Sequence, residues 1–305
     1  MSGTTISLHK KRRRGGLERA EYGWAALMLA PNLIGFLLFI IGPVLAALVL
    51  SFTHYDILTP MRFAGLYNYR TLFTDEIIRV TLRNTVVFTL ITVPGQMFFA
   101  FVLAVLLDRK LKLKRFYRAA YFLPSIASMV AIAVVWQWIY NPEFGLLNYA
   151  LSWFGIEPMR WLASSDTSLM SIAIVAIWRN SGYFMLLFLA GLQGISPTYY
   201  EASELDGANA LQKLWYVTVP LLRPTTMFVF IMSIIGSFQV FDTVQIMTGG
   251  GPGRSSSVLV HYMYQNAFVF FRMGYASAIA YLLFAIILII TAFSMLQDKS
   301  LRDTF

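Results

Sequence analysis

The chain has 305 residues, of which 58% are hydrophobic and only 13% charged, with a mean hydropathy of +0.64. Soluble domains carry about a quarter charged residues, so soluble α/β readings are excluded and an all-α polytopic membrane protein is expected. The net charge of +9 sits in short flanks and loops beside apolar blocks, which is a topology signal rather than a nucleic-acid footprint, and the lack of Cys excludes disulfides and thiolate metal sites.

A basic tail, 1–23, comes first, with Lys10, Lys11, Arg12, Arg13, Arg14 and Arg19. It resembles the start of a signal peptide. The apolar stretch behind it, about 24–52, is far longer than a ~7–15-residue signal core, so an uncleaved span is expected. Five further blocks reach the ~20 residues needed to cross a bilayer, at about 81–107, 117–140, 168–195, 225–246 and 274–297. A tail, 298–305, closes the chain.

The short loop after the second span holds Arg109, Lys110, Lys112, Lys114, Arg115 and Arg118. Together with the N-terminal tail, Lys213, Arg223, Lys299 and Arg302, sixteen cations fall on one side and seven on the other. The positive-inside rule then places both termini in the cytoplasm. The intervening outer loops, about 53–80 and 141–167, carry Tyr55, Tyr67, Tyr69, Trp153, Phe154 and Trp161. An interfacial aromatic belt accounts for such residues.

Arg179 is the one Lys or Arg well inside a span. Burying its charge is costly, which makes it a functional candidate. Arg179, Asn180 and Tyr183 share a helix face at spacings of three and four. In the fifth span Ser233, Ser237 and Gln239, with Asp242 nearer the outside, form a second polar set. Hydroxyls, amides and aromatic rings suit an uncharged polyol. Ser and Asn inside spans also serve as interhelical glue, and Arg179 is placed to pair with Asp242 or to snorkel outward. A cavity-facing Arg179 would instead favour an anionic solute such as a phosphorylated polyol or a uronic-acid oligosaccharide.

Between the fourth and fifth spans lies a polar insert, 196–224. Ser196 and Pro197 start a short helix as N-cap and first helical residue, with Thr198 and Glu201 as an alternative capping box. Gly207 breaks it after about Leu205, and a second short helix runs from about Asn209 to Tyr216. Pro220 and Pro224 punctuate the approach to the fifth span. Two short helices at an angle make a knob. Ala202, Ala208 and Ala210 keep it slim, while Leu211, Leu214 and Trp215 offer apolar area. Glu201, Glu204 and Asp206 are repelled by an anionic leaflet and suit a basic protein partner.

The insert resembles the EAA loop of ABC importer permeases, at Glu201, Ala202, Asp206, Gly207, Ala208, Val217, Val219 and Pro220. It departs at Ser203, where Ala is usual, and at Leu214, where Phe is usual, beside Trp215. Met247–Pro252 with His261–Phe268 looks like the TGGP segment of the carbohydrate-type permeases. Shorter matches are Leu29–Pro31, Ser51–Phe52, Phe122–Pro124 and Tyr140–Pro142, so the likeness spans roughly 22–297. The resemblance implies a type I importer permease in a prokaryotic inner membrane. It implies a second homologous permease, a dimer of cytoplasmic ATPase subunits holding ATP and Mg, an extracytoplasmic solute-binding protein docking on the outer loops, and a sugar-like substrate. In similar permeases the loop couples to the ATPase, with Glu201 pairing a basic residue and Gly207 permitting the bend. The positions of Asn180, Tyr183, Ser233 and Ser237 match those lining the sugar site.

No phosphate loop, HExxH or GxSxG motif is present, and His9, His54 and His261 are scattered. The chain is therefore expected to be a transport subunit without catalytic residues, metal or cofactor of its own. The alternative is an ion-coupled secondary transporter or channel acting without an ATPase. That reading wants paired acids in the membrane, for which Asp242 is the near candidate.

Overall fold

A computed structural model describes residues 14–109 and 111–302, with side chains over 24–109 and 111–296. Lys10–Arg13, Lys110 and the side chains of Arg14, Arg19, Lys299 and Arg302 lie outside what is described.

Helix α1 (Arg14–Phe36) passes through a π turn, Leu37–Ile41, into α2 (Gly42–Ser51). Together they form an apolar rod over Trp24–Ser51 whose most apolar window has no buried residue within the chain. The rod ends on a small hairpin, β1 (Thr53–His54) pairing antiparallel with β2 (Arg62–Phe63), the only sheet among the described residues. Then follow α3 (Tyr67–Thr74) and α4 (Glu76–Asp108). Asp75 caps α4 by accepting the Ile77 N–H at 2.8 Å.

The third apolar block is not one helix. It splits into α5 (Lys114–Ile126) and α6 (Met129–Ile139), which meet at 98°. Ala127 and Ser128 take extended backbone angles just after Pro124, so the helical hydrogen-bond ladder stops there. The chain continues through α7 (Leu146–Ser152) into α8 (Ser168–Gln193), which runs unbroken through the polar stretch 179–183.

The insert forms α9 (Pro197–Leu205), α10 (Ala210–Lys213), a π turn Leu214–Thr218 and α11 (Val219–Leu221). It meets α12 (Arg223–Phe238) at 67°. The fifth block also stops short of its expected end. Helix α12 finishes at Phe238, and the chain re-forms as α13 (Asp242–Met247). Sixteen residues at 1.5 Å each span about 24 Å, less than a ~30 Å hydrocarbon core. Non-helical backbone at such depth is tolerated where protein or a cavity surrounds it. Helix α14 (Leu259–Tyr264), a π turn Gln265–Val269 and α15 (Met273–Arg302) complete the fold. Among the described residues four helices are long and apolar enough to cross a membrane, or up to six if each bent pair counts as one span.

Helices α4 and α8 run parallel at the centre. Glycines set their approach: Gly95 faces the Ile177 side chain, and Gly182 faces the Tyr121 carbonyl of α5 so closely that a Cβ would collide with it. Toward their C-terminal ends Ala100, Ala104 and Leu107 pack with Phe188, Leu192 and Leu222. The loop after α4 and the insert after α8 therefore share one end of the bundle. The other end is tied by Asp75, whose Oδ2 accepts from Tyr262 at 2.8 Å and Tyr275 at 2.7 Å. That joins the starts of α4 and α15 to α14.

Candidate functional site

Midway along α4 and α8, and against the C-terminal half of α12, lies a cavity of about 340 Å³. Arg179, Asn180, Tyr183, Ser233, Ser237, Gln239 and Asp242 all line it. Two helix faces and one helix break bring them together. Helical periodicity turns the first three inward from α8 and aligns Ser233 with Ser237 on α12. The stop at Phe238 then places Gln239 on irregular backbone and Asp242 at the start of α13, not on the continuous helix expected for 225–246.

The cavity is partly satisfied from within. Thr92 Oγ1 lies 3.0 Å from Ser237 Oγ, and Asn180 Nδ2 donates to Gln96 Oε1 at 3.4 Å. Two polar atoms are left over: Arg179 Nε and Ser233 Oγ are buried without a hydrogen-bond partner. An unmet buried polar group costs about 1–3 kcal/mol. Among the described residues Arg179 forms no ion pair, so the pairing with Asp242 considered from sequence is not made. Asp242 is exposed.

Thr92 and Gln96 were not singled out from sequence, although their signal is present. Thr81, Thr85, Thr89, Thr92 and Gln96 recur every three or four residues and form a buried polar stripe along α4. Thr81, Thr85 and Thr92 return their hydroxyls to carbonyls one turn back.

The knob is built on its glycine. Asp206 ends α9, and Gly207 has φ +78°. Ala208 N–H reaches Ser203 O at 2.9 Å and Gly207 N–H reaches Glu204 O at 3.0 Å, a Schellman closure. Asn209 then caps α10 in a capping box with Gln212. The box expected at Thr198 and Glu201 is absent; Ser196 holds the N-cap position of α9 without a side-chain cap bond, its hydroxyl lying 3.1 Å from Thr198 Oγ1. Lys213 bridges back to Glu204 at 2.6 Å.

Glu201, Ala202, Asp206, Gly207, Trp215 and Pro220 are exposed, and Ala208 and Leu214 are half-buried. Leu205 (91% exposed) and Tyr216 (80%) join Leu211 and Trp215 in an apolar surface larger than the sequence reading had drawn.

At the opposite end the glycine-rich segment is stitched to three helices. Asn84 donates to Arg254 O and Ser257 O, Gln137 to Ile246 O, and Ser168 Oγ lies 2.8 Å from Ser255 Oγ. His261 is buried beneath it, with Nδ1 2.9 Å from Ser257 Oγ. Burial, with the nearby Arg254 charge, pushes its pKa below the usual imidazole range. Burial alone would raise the Asp75 carboxyl, but hydrogen bonds from Tyr275, Tyr262 and the backbone outweigh it and hold Asp75 below the usual range.

Of the aromatics in loops 53–80 and 141–167, Tyr69 and Trp161 are half-buried and hydrogen-bond with Ser51 and Asn148. Tyr67, Trp153 and Phe154 are exposed.

Parallel central helices, bent flanking spans, a polar mid-depth cavity and a two-helix knob define a transport subunit. The pattern of the family described as "Binding-protein-dependent transport system inner membrane component" matches residues 84–303, and the chain belongs to that family. The probable ABC transporter permease protein YurN of Bacillus subtilis is 39% identical over 279 residues, 90% of this chain and 94% of that protein. The sulfoquinovosyl glycerol transport system permease protein SmoG of Agrobacterium fabrum is 35% identical, covering 88% of each chain. The fold is also that of a solved bacterial ABC transporter involved in import of the acidic polysaccharide alginate, with a TM-score of 0.82 at 22% identity over 95% of this chain and 99% of that one. The chain is thus an inner-membrane ABC importer permease of the type I fold.

Proposed function

We propose that this permease and a second homologous one enclose the path by which a sugar, oligosaccharide or polyol-type solute enters the cell. The observation that carries the reading is the convergence of Arg179, Asn180, Tyr183, Ser233, Ser237, Gln239 and Asp242 on one cavity halfway along the bundle. Its hydroxyls, amides and ring match the donors, acceptors and flat apolar face of a polyol. The SmoG relative, named for a glycosyl glycerol, supports the solute class.

A solute-binding protein would deliver the solute at the Asp75 end. The knob would seat on a dimer of cytoplasmic ATPase subunits, which would hold ATP and Mg. Exposed acids beside exposed Leu205, Leu211, Trp215 and Tyr216 favour a protein groove with a basic rim over an anionic leaflet. Both termini would be cytoplasmic. The basic loop 111–118 and the knob share one end of the bundle, in keeping with the positive-inside rule.

The test is uptake by proteoliposomes holding this chain with its neighbouring permease, ATPase and binding protein. Asn180→Leu and Ser233→Val should each lower saccharide uptake about tenfold, the equivalent of about 1.4 kcal/mol, with subunit assembly unchanged. Wild-type uptake by both variants would refute the cavity as the path.

A further inference from the structure

The cavity holds a cation that no described residue neutralises. Arg179 is charged at any accessible pH. It sits near the middle of α8, its Nε is buried without a partner, and among the described residues no carboxylate pairs with it. Keeping an ionised group at such depth is expensive unless something meets it. Ser233 Oγ, 1% exposed as a residue and also without a partner, lines the same cavity. Asp242 lines it too, from the far side of the break at Phe238. The cavity therefore carries a guanidinium and a carboxyl group that do not pair with each other.

Resting on the reading of this cavity as the solute path, we infer that it selects a solute with one anionic substituent, a carboxylate, sulfonate or phosphate, on a hydroxylated body. The anion meets Arg179, whose planar fork offers paired N–H donors to two oxygens of one group. Ser233 and Asn180 take adjoining oxygens. Asp242, an acceptor when ionised, receives the hydroxyls at the other end of the solute and fixes its direction. A neutral sugar would satisfy Asp242 and the amides but leave the guanidinium unmet. Discrimination of this kind, where a buried polar group goes unpaired with the wrong ligand, is stronger than any a purely apolar pocket supplies.

The experiment is calorimetric binding to the purified permease–ATPase complex without its binding protein, so that the selectivity read belongs to the membrane cavity. The probes are methyl glucoside, methyl glucuronide, a 6-sulfonated methyl glucoside and glycerol 3-phosphate, against wild type, Arg179→Lys and Arg179→Gln. One anionic probe should bind at least about tenfold more tightly than the neutral one, and Arg179→Gln should erase that margin. Arg179→Lys should retain part of it, and the three anions identify the substituent. Equal binding of neutral and anionic probes, unmoved by Arg179→Gln, overturns the inference and leaves the importer reading standing. Loss of the second permease from the Arg179→Gln complex, without a change of preference in Arg179→Lys, makes the guanidinium a subunit contact and also overturns it. Failure of any ATPase to co-purify overturns both readings.

Discussion

Lys213 Nζ lies 2.6 Å from Glu204 Oε1, closing the two arms of the knob across the turn at Gly207. The contact looks strong, yet Glu204 is 65% exposed, and exposed ion pairs contribute only about 0–1 kcal/mol. The shape of the knob rests instead on the backbone closure at Gly207 and the capping box at Asn209. Nothing crowds the position of a Cβ at Gly207, so the cost of Gly207→Ala is the left-handed backbone alone, about 1–2 kcal/mol. Asn209→Ala should cost about 1 kcal/mol, and Glu204→Gln less than either. Hydrogen–deuterium exchange over 197–218 should rise in that order, Glu204→Gln least and Gly207→Ala most. A larger rise in Glu204→Gln would show that the ion pair sets the shape.

Gly182 governs the packing of α8 on α5. A Cβ there would run into the Tyr121 carbonyl, which is backbone and cannot rotate away. Gly182→Ala should therefore destabilise the folded bundle by about 1–3 kcal/mol, although Ala is the better helix former. Gly236 in α12 has open space at the same position, so Gly236→Ala is the control and should be neutral or stabilising. Thermal melts of the two variants in one detergent distinguish packing from propensity.

The end of the bundle tied by Asp75 should be acid-sensitive through His261. Its pKa in the fold is depressed below the ordinary 6.5 by burial and by Arg254. Above pH 6.5 the imidazole is neutral in both folded and unfolded chains and contributes no pH dependence. As pH falls through 6.5 the unfolded chain takes up a proton first, so stability falls until the folded pKa is passed. His261→Gln should flatten the melting temperature between pH 7 and pH 5, whereas wild type should lose stability on acidification. An unchanged slope between pH 7 and pH 5 in the variant would assign it to another group; Asp75, held below the usual carboxylate range, acts only below about pH 5.

Much of this architecture was legible in the residues, for identifiable reasons. Arg179 stood out because a charge inside an apolar block is costly to bury. Gly207 and Pro197 announced the knob because each restricts backbone choices in its own way. Pro124 signals a local kink in the third block, but neither the size of that turn nor the break in the fifth block is legible. Hydropathy reports how much surface a segment hides from water, not the direction in which it runs. The 98° turn falls on Ala127 and Ser128, residues at home in any helix. The polar stripe on α4 was legible but passed unnoticed, since threonines in a span look neutral until their spacing is counted. The cap at Asn209 is hidden for a different reason: Gly207 reads in the sequence as a break, whereas its closure also sets the start of α10.

The central claim is that the knob transmits ATP hydrolysis to the cavity, with Glu201 as its exposed anchor. Glu201 is solvent-exposed and forms no ion pair among the described residues, so reversing its charge should leave the fold intact. The most direct test is to tag this chain, express it with its neighbouring genes, purify the complex in mild detergent and assay ATP hydrolysis and vesicle uptake in wild type and Glu201→Lys. The account predicts that an ATPase and a second permease co-purify with the wild type. It also predicts that Glu201→Lys inserts normally while losing at least about tenfold of its uptake per ATP hydrolysed, the equivalent of about 1.4 kcal/mol. Normal coupled uptake in Glu201→Lys, or a wild-type chain that purifies alone with no ATPase activity, would contradict it.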